Sequence, residues 1–202
     1  VTKTDKYVEK ILIEELSKSK KNYSFITEET GKINNKDKEN FWIIDPIDGT
    51  TNFLHGIPHF SISIGLKSND EIIAGVIFDP IKNELFYAEK NSGAYFNNQR
   101  IRVSNKNNLD DCLFASNNVG IDNKSLSIRN LGSAALDMAY VGAGRLDGYF
   151  QNDLHIWDIA AGIIIVKEAG GTVNNLNLSQ TENLKIRASS NTIYEKMLEK
   201  IK

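Results

Sequence analysis

The hydrophobic pattern of the chain opens with a helical period and then changes to the period of β-strands. An amphipathic helix is predicted over residues 5–19, where apolar side chains repeat at helical spacing and lysine and glutamate lie opposite. Residues 23–27 read as a short strand that ends at Glu28. The polar residues 30–40, rich in lysine and asparagine, are predicted to form a loop. Residues 41–45 predict a buried strand.

The rest of the chain alternates between strand-like and helix-like segments. Alternating apolar positions and short polar turns predict an antiparallel meander, with strands at residues 60–67, 71–79, 84–90 and 93–103. Farther along, strands are predicted at residues 111–116, 147–150 and 186–189, and helices at residues 133–143, 157–168 and 192–201. No strict βαβ period is present, so the pattern predicts an α+β fold.

Composition limits the classes of protein that fit this pattern. The length of 202 residues suits one compact unit made of two halves, residues 1–103 and 104–202. The formal net charge is −2, and lysines mix with acids, as in Glu9 and Lys10, which indicates a solvated surface and argues against a nucleic-acid partner. No apolar run is long enough to span a bilayer and no signal peptide is recognisable, so no membrane partner is expected. The single cysteine, Cys112, excludes an internal disulfide and fits a cytoplasmic protein.

The segment with the clearest chemistry is residues 42–53, which reads WIIDPIDGTTNF. Asp45 and Asp48 follow a hydrophobic strand, and two carboxylates so close together repel each other unless a cation lies between them. Carboxylate oxygens are the ligands that Mg²⁺ prefers. Gly49 and Thr50 then offer backbone N–H groups to a phosphate at a helix start. The alternative is an Asp-Gly surface turn, which the preceding apolar strand disfavours.

The same segment resembles the signature of the inositol monophosphatase family, the Mg²⁺-dependent, Li⁺-sensitive sugar-phosphate phosphatases. Further motifs are similar to that family and follow its order: VTKTD at residues 1–5, TEE at 27–29, LGSAALD and GRLDGY within 131–149, and WDIAAG at 157–162. Thr27 stands where glycine is usual. The resemblance implies a layered αβαβα sandwich, with the amino-terminal helix missing and the second half shortened between residues 116 and 129.

The resemblance also implies which residues bind metal ions. Glu28, Asp45 and the backbone carbonyl of Ile47 are implied for a first Mg²⁺. Asp45, Asp48 and Asp158 are implied for a second, and a third, weaker ion near Glu28 is common in the family. In such a site one ion activates a water for attack and another stabilises the leaving group. Taken alone, Asp158 also fits a cap at the start of its apolar helix.

Other residues are implied to orient the attacking water and to bind the phosphate. Asp5 and Thr50 resemble the pair that orients the water, although Asp5 alone reads as a helix-start acid. Glu29 fits an acid near that water and fits a solvated neighbour equally well. The N–H groups of Gly49 and Thr50 are implied to bind the phosphate.

A second set of residues is implied to contact the substrate. Gly132, Ser133 and Ala134 resemble the segment that lines the substrate hydroxyls, and they also suit close helix packing. Gln151 is a departure, because family members that prefer inositol carry a glutamate at this place before the Trp-Asp motif. Glutamine is neutral and donates as well as accepts hydrogen bonds, which leaves the preference for inositol phosphate open.

The function that the resemblance implies is Mg²⁺-dependent hydrolysis of a small sugar or polyol phosphate by a lithium-sensitive homodimer. Alternative substrates within the same superfamily are fructose 1,6-bisphosphate, histidinol phosphate and 3′-phosphoadenosine nucleotides. The motifs at residues 131–149 resemble the monophosphatase branch more than the nucleotide branch. An alternative of another class is a non-catalytic relative, which binds metal or phosphate and acts through protein contacts.

Overall fold

The computed structural model describes residues 2–117 and 126–201. The helices in these residues are α1 (Lys3–Ser19), α2 (Thr50–Leu54), α3 (Ala134–Gly142), α4 (Ile156–Glu168) and α5 (Tyr194–Lys200), with a 3₁₀ turn at Leu109–Asp111. The first strands are β1 (Ser24–Thr27), β2 (Gly31–Ile33), β3 (Asn40–Asp48), β4 (Ser61–Ser68), β5 (Glu71–Asp79), β6 (Glu84–Glu89), β7 (Gly93–Phe96) and β8 (Gln99–Arg100). The later strands are β9 (Leu113–Ala115), β10 (Ser127–Arg129), β11 (Gly148–Leu154), β12 (Gly171–Val173) and β13 (Leu184–Ser190).

Parts of two sequence expectations fall outside this description. Residues 118–125, within the stretch expected to be shortened, lie outside the described residues, as does Val1 of the first motif. Within the described ranges, none of the helices combines the length and the apolar character needed to cross a membrane.

Two sheets and two packed helices organise the described chain in layers. The first sheet has eight strands in the order β2-β1-β3-β4-β5-β6-β7-β8, in which only the β1–β3 pair is parallel. The second sheet has five strands in the order β10-β9-β11-β13-β12. Helices α3 and α4 pack on each other and contact strands of both sheets, while α1 packs on β3 and α5 on β13. The predicted α+β sandwich of layers is confirmed.

Helix α4 approaches the first sheet at two glycines. Gly65 of β4 and Gly75 of β5 are paired directly across the two strands. Ala160 and Ala161 of α4 rest on them, and a Cβ atom at Gly75 would lie 2.8 Å from both the Cα and the carbonyl oxygen of Ala161. We name this contact, Gly65 and Gly75 beneath Ala160 and Ala161, the glycine platform. Because neither glycine carries a side chain, the α4 backbone at Ala161 can approach the sheet closely.

Helix α1 buries two acids, whereas the hydrophobic pattern predicted an apolar buried face. Its buried residues are Asp5 and Glu9, while Ile11 is exposed. The interpretation of Glu9 as part of a solvated surface is therefore wrong. The physical reason is non-local: backbone N–H groups of the turn between β1 and β2 lie against this face of the helix and bind the Glu9 carboxylate.

The other differences from the predicted elements arise where strand pairing depends on distant residues. The polar segment 30–40 contains β2, which pairs with β1 through a tight turn closed by Gly31 at φ +77°. The strand predicted at 93–103 is divided into β7 and β8, because Asn97 and Asn98 adopt positive φ angles and reverse the chain. Most other predicted elements are present, with ends shifted by a few residues.

Candidate active site

A bulge at the end of β3 brings the two aspartates of the central motif to one side of the sheet. Against β4, Asp45 pairs with Ser63. Three residues later Asp48 pairs with Ser61, so three steps along β3 match two steps along β4. Residues three apart on a regular strand point to opposite faces, whereas one extra residue restores the same face. Pro46 lies inside the bulge, where the missing N–H is tolerated.

Acids from two other elements join these aspartates. Glu28 follows β1, and the parallel pairing of β1 with β3 places it beside Asp45. The Glu28 N–H donates to the carbonyl of Ile44 at 3.2 Å, and the charge of Glu28 is among the causes, after burial and Asp48, that raise the pKa of Asp45. Asp158 lies in the first turn of α4, where its Oδ2 accepts the N–H of His155 at 2.7 Å. Asp158 thus caps its helix and also lies near the other acids, because burial and then the charge of Asp48 raise its pKa.

Burial raises the pKa of all four acids. It is the largest cause in each case, and it raises the pKa of Glu28 and of Asp158 to about 7 and that of Asp48 to about 6. The pKa of Asp45 lies well above its usual range through burial and then the charges of its neighbours, Asp48 first. Glu28 Oε2 is buried with no hydrogen-bond partner among the described residues. A cation among these carboxylates would relieve the repulsion and supply the missing contact.

Asp48 also connects the two halves of the chain. Its Oδ2 accepts the hydroxyl of Ser133 and, at 2.9 Å, the N–H of Ala135. Its Oδ1 accepts the N–H of Ala134 at 3.2 Å. Ser133 is the N-cap of α3, so this carboxylate lies at the positive end of a helix. The residues predicted to line the substrate therefore lie directly against a predicted metal ligand.

The start of α2 forms a tight corner next to the acids. Gly49, its N-cap, has φ +95°, and a Cβ there would lie 3.1 Å from the carbonyl oxygen of Gly132 and 3.2 Å from that of His59. Asn52 closes the corner by donating its amide to the carbonyl oxygens of His59 and Leu131, each at 2.8 Å. Sequence reasoning assigned no role to Asn52, although it lies within the central motif and its side chain is buried.

The predicted water-orienting pair, Asp5 and Thr50, is not joined by a hydrogen bond in the described part of the chain. The Thr50 hydroxyl donates to the carbonyl of Ile47 at 3.0 Å, within its own turn. Asp5 is buried, and its Oδ2 accepts the N–H of Thr2 at 2.5 Å in a helix-capping arrangement. Its Oδ1 is buried without a partner among these residues. The charge of Asp5 nevertheless contributes to the raised pKa of Glu28, which places Asp5 near the acids.

Glu29 follows Glu28 in the same turn, and Gly132 directly precedes Ser133. Glu29 is partly exposed, and burial followed by the charge of Asp5 raises its pKa. Gly132 has φ +85°, and a Cβ there would lie 2.8 Å from Nδ2 of Asn52. The predicted site residues therefore converge from separate parts of the chain.

Polar groups from β11 and α3 surround the acids on another side. The Tyr149 hydroxyl donates to Oε1 of Gln151 at 2.7 Å, and the two residues share one face of β11. Burial, followed by the charges of Asp137, Asp48 and Asp158, raises the pKa of Tyr149. Asp137 is itself buried, and burial followed by Asp48 raises its pKa well above the usual range. Sequence reasoning missed Asp137, because it lies within an apolar helix pattern.

The donor set of the site fits a hard divalent cation in its chemistry. All the side-chain atoms that could ligate a metal ion here are carboxylate oxygens, the kind that Mg²⁺ binds. One of them, Glu28 Oε2, has no hydrogen-bond partner among the described residues. Within residues 2–117 and 126–201, no group of three or more histidine, cysteine, aspartate or glutamate side chains is arranged to hold a metal ion as it stands. Asp48 directs its oxygens at the amino end of α3 instead.

We expect the free energy of unfolding of the metal-free protein to decrease as the pH rises. The folded protein binds more protons than the unfolded chain, because the pKa of Glu28 and that of Asp158 are raised to about 7 from ordinary values of 4.5 and 3.8. Stability is thus lost between about pH 4 and about pH 7. Melting temperatures in a chelating buffer across this range check the prediction. A melting temperature that rises steadily to about pH 7 would contradict it.

Comparisons with known proteins agree with the fold and the motifs. The profile of the inositol monophosphatase family matches residues 1–202. The chain is similar to inositol-1-monophosphatase of Mesorhizobium japonicum, at 39% identity over all of this chain and 82% of that protein. It is similar to Nus factor SuhB of Pasteurella multocida, at 44% identity over 88% of this chain and 72% of that protein. The crystal structure of suhB from Bartonella henselae has a TM-score of 0.90 and 42% identity, covering 100% of this chain and 84% of that one.

The structure named IMPase from Thermotoga maritima shares this layered fold, with a TM-score of 0.90 and 39% identity over the whole of this chain. The chain belongs to the inositol monophosphatase family, a family of phosphoric monoester hydrolases. The family predicted from the sequence motifs is thereby confirmed.

Proposed function

We propose that the protein is a Mg²⁺-dependent phosphomonoesterase that hydrolyses a small sugar or polyol phosphate of the inositol-1-phosphate type. The observation that carries this proposal is the group of four acids with raised pKa values around the β3 bulge. Such a group is costly in a folded protein unless it binds a cation. We expect the protein to bind two or three Mg²⁺ ions at this site.

The proposed metal ligands come from three parts of the chain: the turn after β1, the end of β3 and the first turn of α4. Glu28, Asp45 and the carbonyl of Ile47 would hold one ion, and Asp45, Asp48 and Asp158 another. When bound, Mg²⁺ would supply an activated water and stabilise charge on the phosphoryl and leaving oxygens. The role of the protein itself would be to hold these carboxylates together in their ionised form. The bonds from Ser133 and Ala135 favour ionised Asp48, because N–H and O–H donors stabilise a carboxylate.

The neighbouring polar groups would handle the phosphate and the attacking water. Gly49 is the N-cap of α2, and no side chain caps the helix there, so the N–H groups of Gly49 and Thr50 are the proposed donors to a phosphate oxygen. Asp5 retains an unpartnered oxygen, and we assign to it the proton taken from the attacking water, with the Thr50 hydroxyl orienting that water. Glu29 is proposed as a second acid near the same water.

The substrate hydroxyls would contact Gly132, Ser133, Ala134 and Gln151. The side-chain oxygen of Gln151, Oε1, already accepts a hydrogen bond from the Tyr149 hydroxyl. The side-chain NH₂ group of Gln151 therefore points away from Tyr149. A neutral amide in this place can donate to a sugar oxygen, whereas a carboxylate only accepts. The glutamine therefore favours a substrate that presents a hydrogen-bond acceptor oxygen to residue 151.

The substitution Gln151→Glu is expected to raise the preference for inositol phosphate over other sugar phosphates by about tenfold. A carboxylate accepts hydrogen bonds from two sugar hydroxyls, each worth about 1 kcal/mol or more. The ratio of kcat/KM values for inositol-1-phosphate and a second sugar phosphate measures this preference. Asn152→Asp, one position away, is the matched control. An unchanged ranking of substrates in Gln151→Glu would reject the role of Gln151.

Phosphate release from a panel of compounds tests the proposed function. The panel holds inositol phosphate, other sugar phosphates, fructose 1,6-bisphosphate, histidinol phosphate and 3′-phosphoadenosine phosphate, each with Mg²⁺ and then with added Li⁺. We expect Mg²⁺-dependent release that Li⁺ suppresses, fastest with a monophosphate. Release that persists in excess chelator would overturn the metal assignment.

A second candidate function is a non-catalytic one, acting through protein contacts. The observation that favours it is the similarity to proteins named Nus factor SuhB, at 44% identity in one case. A folded protein that binds Mg²⁺ but releases no phosphate from any compound of the panel would favour this candidate. A cytoplasmic homodimer is proposed for both candidates, and the molar mass in solution measures the oligomeric part.

A further inference from the structure

Glu9 binds the turn that carries two of the predicted site residues. Its side chain is 1% exposed and projects from α1 onto the turn at residues 28–30. Oε2 accepts the N–H of Glu29 at 2.9 Å. Oε1 accepts the N–H of Thr30 at 3.0 Å and the Thr30 hydroxyl at 2.5 Å. One buried carboxylate thus receives three hydrogen bonds from two successive residues of a single turn.

The opposite side of the same turn is attached to β3. The N–H of Glu28 donates to the carbonyl of Ile44, the residue just before Asp45, at 3.2 Å. The base of the turn is closed by the Thr27 hydroxyl, which donates to the carbonyl of Gly31 at 3.2 Å. The turn therefore lies between two fixed points, the strand that carries Asp45 and the carboxylate of Glu9.

Packing alone does not hold the turn on the side of α1. A cavity of about 420 Å³ lies there, lined among others by Ile13, Glu29, Thr30 and Ile33. Side chains bordering open space contribute few contacts that would keep the turn in one position. None of the ion pairs between described residues involves Glu9, so its carboxylate is bound by turn donors and not by a cation. Charge-assisted hydrogen bonds of this kind are about twice as strong as neutral ones.

We propose that Glu9 is a positioning residue for the reaction, fixing the turn so that Glu28 stays beside Asp45 and Glu29 beside Asp5. This inference rests on the proposed metal-dependent function. Asp5 lies one helical turn before Glu9, so the same buried face of α1 holds the turn and supplies an acid to the site. A carboxylate suits this role because it only accepts. A glutamine in its place would present an NH₂ group to at least one of the turn donors.

Metal binding in the absence of substrate tests the role of Glu9. We expect Glu9→Gln to weaken Mg²⁺ binding, measured by isothermal titration calorimetry, by about 10-fold to 100-fold, the range seen when a residue that orients a metal ligand is replaced. Thr30→Val removes one donor and is expected to weaken binding in the same direction by less. Because the two residues act on each other, the double variant should bind no more weakly than Glu9→Gln.

The controls separate positioning from folding. Glu14→Gln changes an exposed acid on the same helix that lines the same cavity, and it should leave Mg²⁺ affinity unchanged. Amide hydrogen exchange at Glu29 and Thr30 should become faster in Glu9→Gln than in the unaltered protein. Thr30→Val keeps the test available if Glu9→Gln does not fold.

Three outcomes overturn different statements. Unaltered Mg²⁺ affinity in both folded Glu9→Gln and Thr30→Val, beside normal binding by the unaltered protein, would overturn the positioning role alone. An equal loss of affinity in Glu14→Gln would overturn it as well, because the effect would then follow any change on α1. Failure of the unaltered protein to bind Mg²⁺ would overturn the proposed function and, with it, this inference.

Discussion

Asp45→Asn should lose phosphatase activity by about 1,000-fold or more and should melt at a higher temperature than the unaltered protein when no metal is present. Asp45 is 2% exposed, and its pKa is raised well above the usual range by burial and then by Asp48, Glu28 and Asp158. Asparagine has the same shape but no charge to repel these neighbours. Its carbonyl oxygen can still accept the N–H of Ile47, which Asp45 Oδ1 accepts at 3.0 Å.

Opposite changes in activity and stability are the signature of an acid kept for binding a cation. Phosphate release and melting temperature, each with Mg²⁺ and with chelator, measure the two effects. Mg²⁺ should raise the melting temperature of the unaltered protein and not that of Asp45→Asn, because a ligand stabilises only the state that binds it. Asp110→Asn, at an exposed site, is the matched control and should change neither quantity. Activity within about tenfold of normal in Asp45→Asn would refute the proposed metal ligands.

Gly75→Ala is expected to lower the free energy of unfolding by about 3 kcal/mol, the upper range for overpacking a core. The added Cβ would lie 2.7 Å from Cγ2 of Ile164 and 2.8 Å from both Cα and the carbonyl oxygen of Ala161. The Ala161 atoms belong to the backbone of α4 and cannot rotate away. Relief therefore requires the whole helix to move, and Asp158 in its first turn moves with it.

Urea denaturation measures the change in the free energy of unfolding for Gly75→Ala. Val76→Ala is the control from the next residue on the same strand, because Val76 is 37% exposed and points to the other face. It should cost less than about 1 kcal/mol. Because the helix shift displaces a proposed metal ligand, Mg²⁺ affinity should fall in Gly75→Ala as well. Equal stability of the two variants would mean that the glycine platform has room for a methyl group.

The sequence predicted what depends on neighbouring residues. The hydrophobic periodicity predicted most helices and strands. The central motif pointed to Asp45 and Asp48, because an apolar strand that ends in two acids is a local pattern. The bulge that turns both acids to one side was not foreseen. It depends on the register with β4, which is a tertiary property.

The contacts that the sequence could not predict join residues far apart in the chain. Asp48 meets Ser133 across 85 positions, and Glu29 meets Glu9 across 20. Glu9 was interpreted as a surface charge because it lies beside Lys10, and such mixing of acids and lysines usually marks a solvated surface. Asp137 was missed for the converse reason, since a single acid in an apolar helix gives no periodic signal. Buried polar residues are recognised only once their partners are known.

The glycine platform has a mechanical consequence. The backbone of Ala161 lies directly over Gly75 and the methyl group of Ala160 lies over Gly65, so the contact leaves little free volume that heat or pressure could change. Helix α4 and the β4–β5 pair therefore behave as one stiff body. Asp158 lies in the first turn of α4 and so belongs to this stiff body. Strand β3, which carries Asp45 and Asp48, is hydrogen-bonded along β4. The spacing of these three carboxylates should accordingly change little under hydrostatic pressure, while looser parts of the fold compress around them.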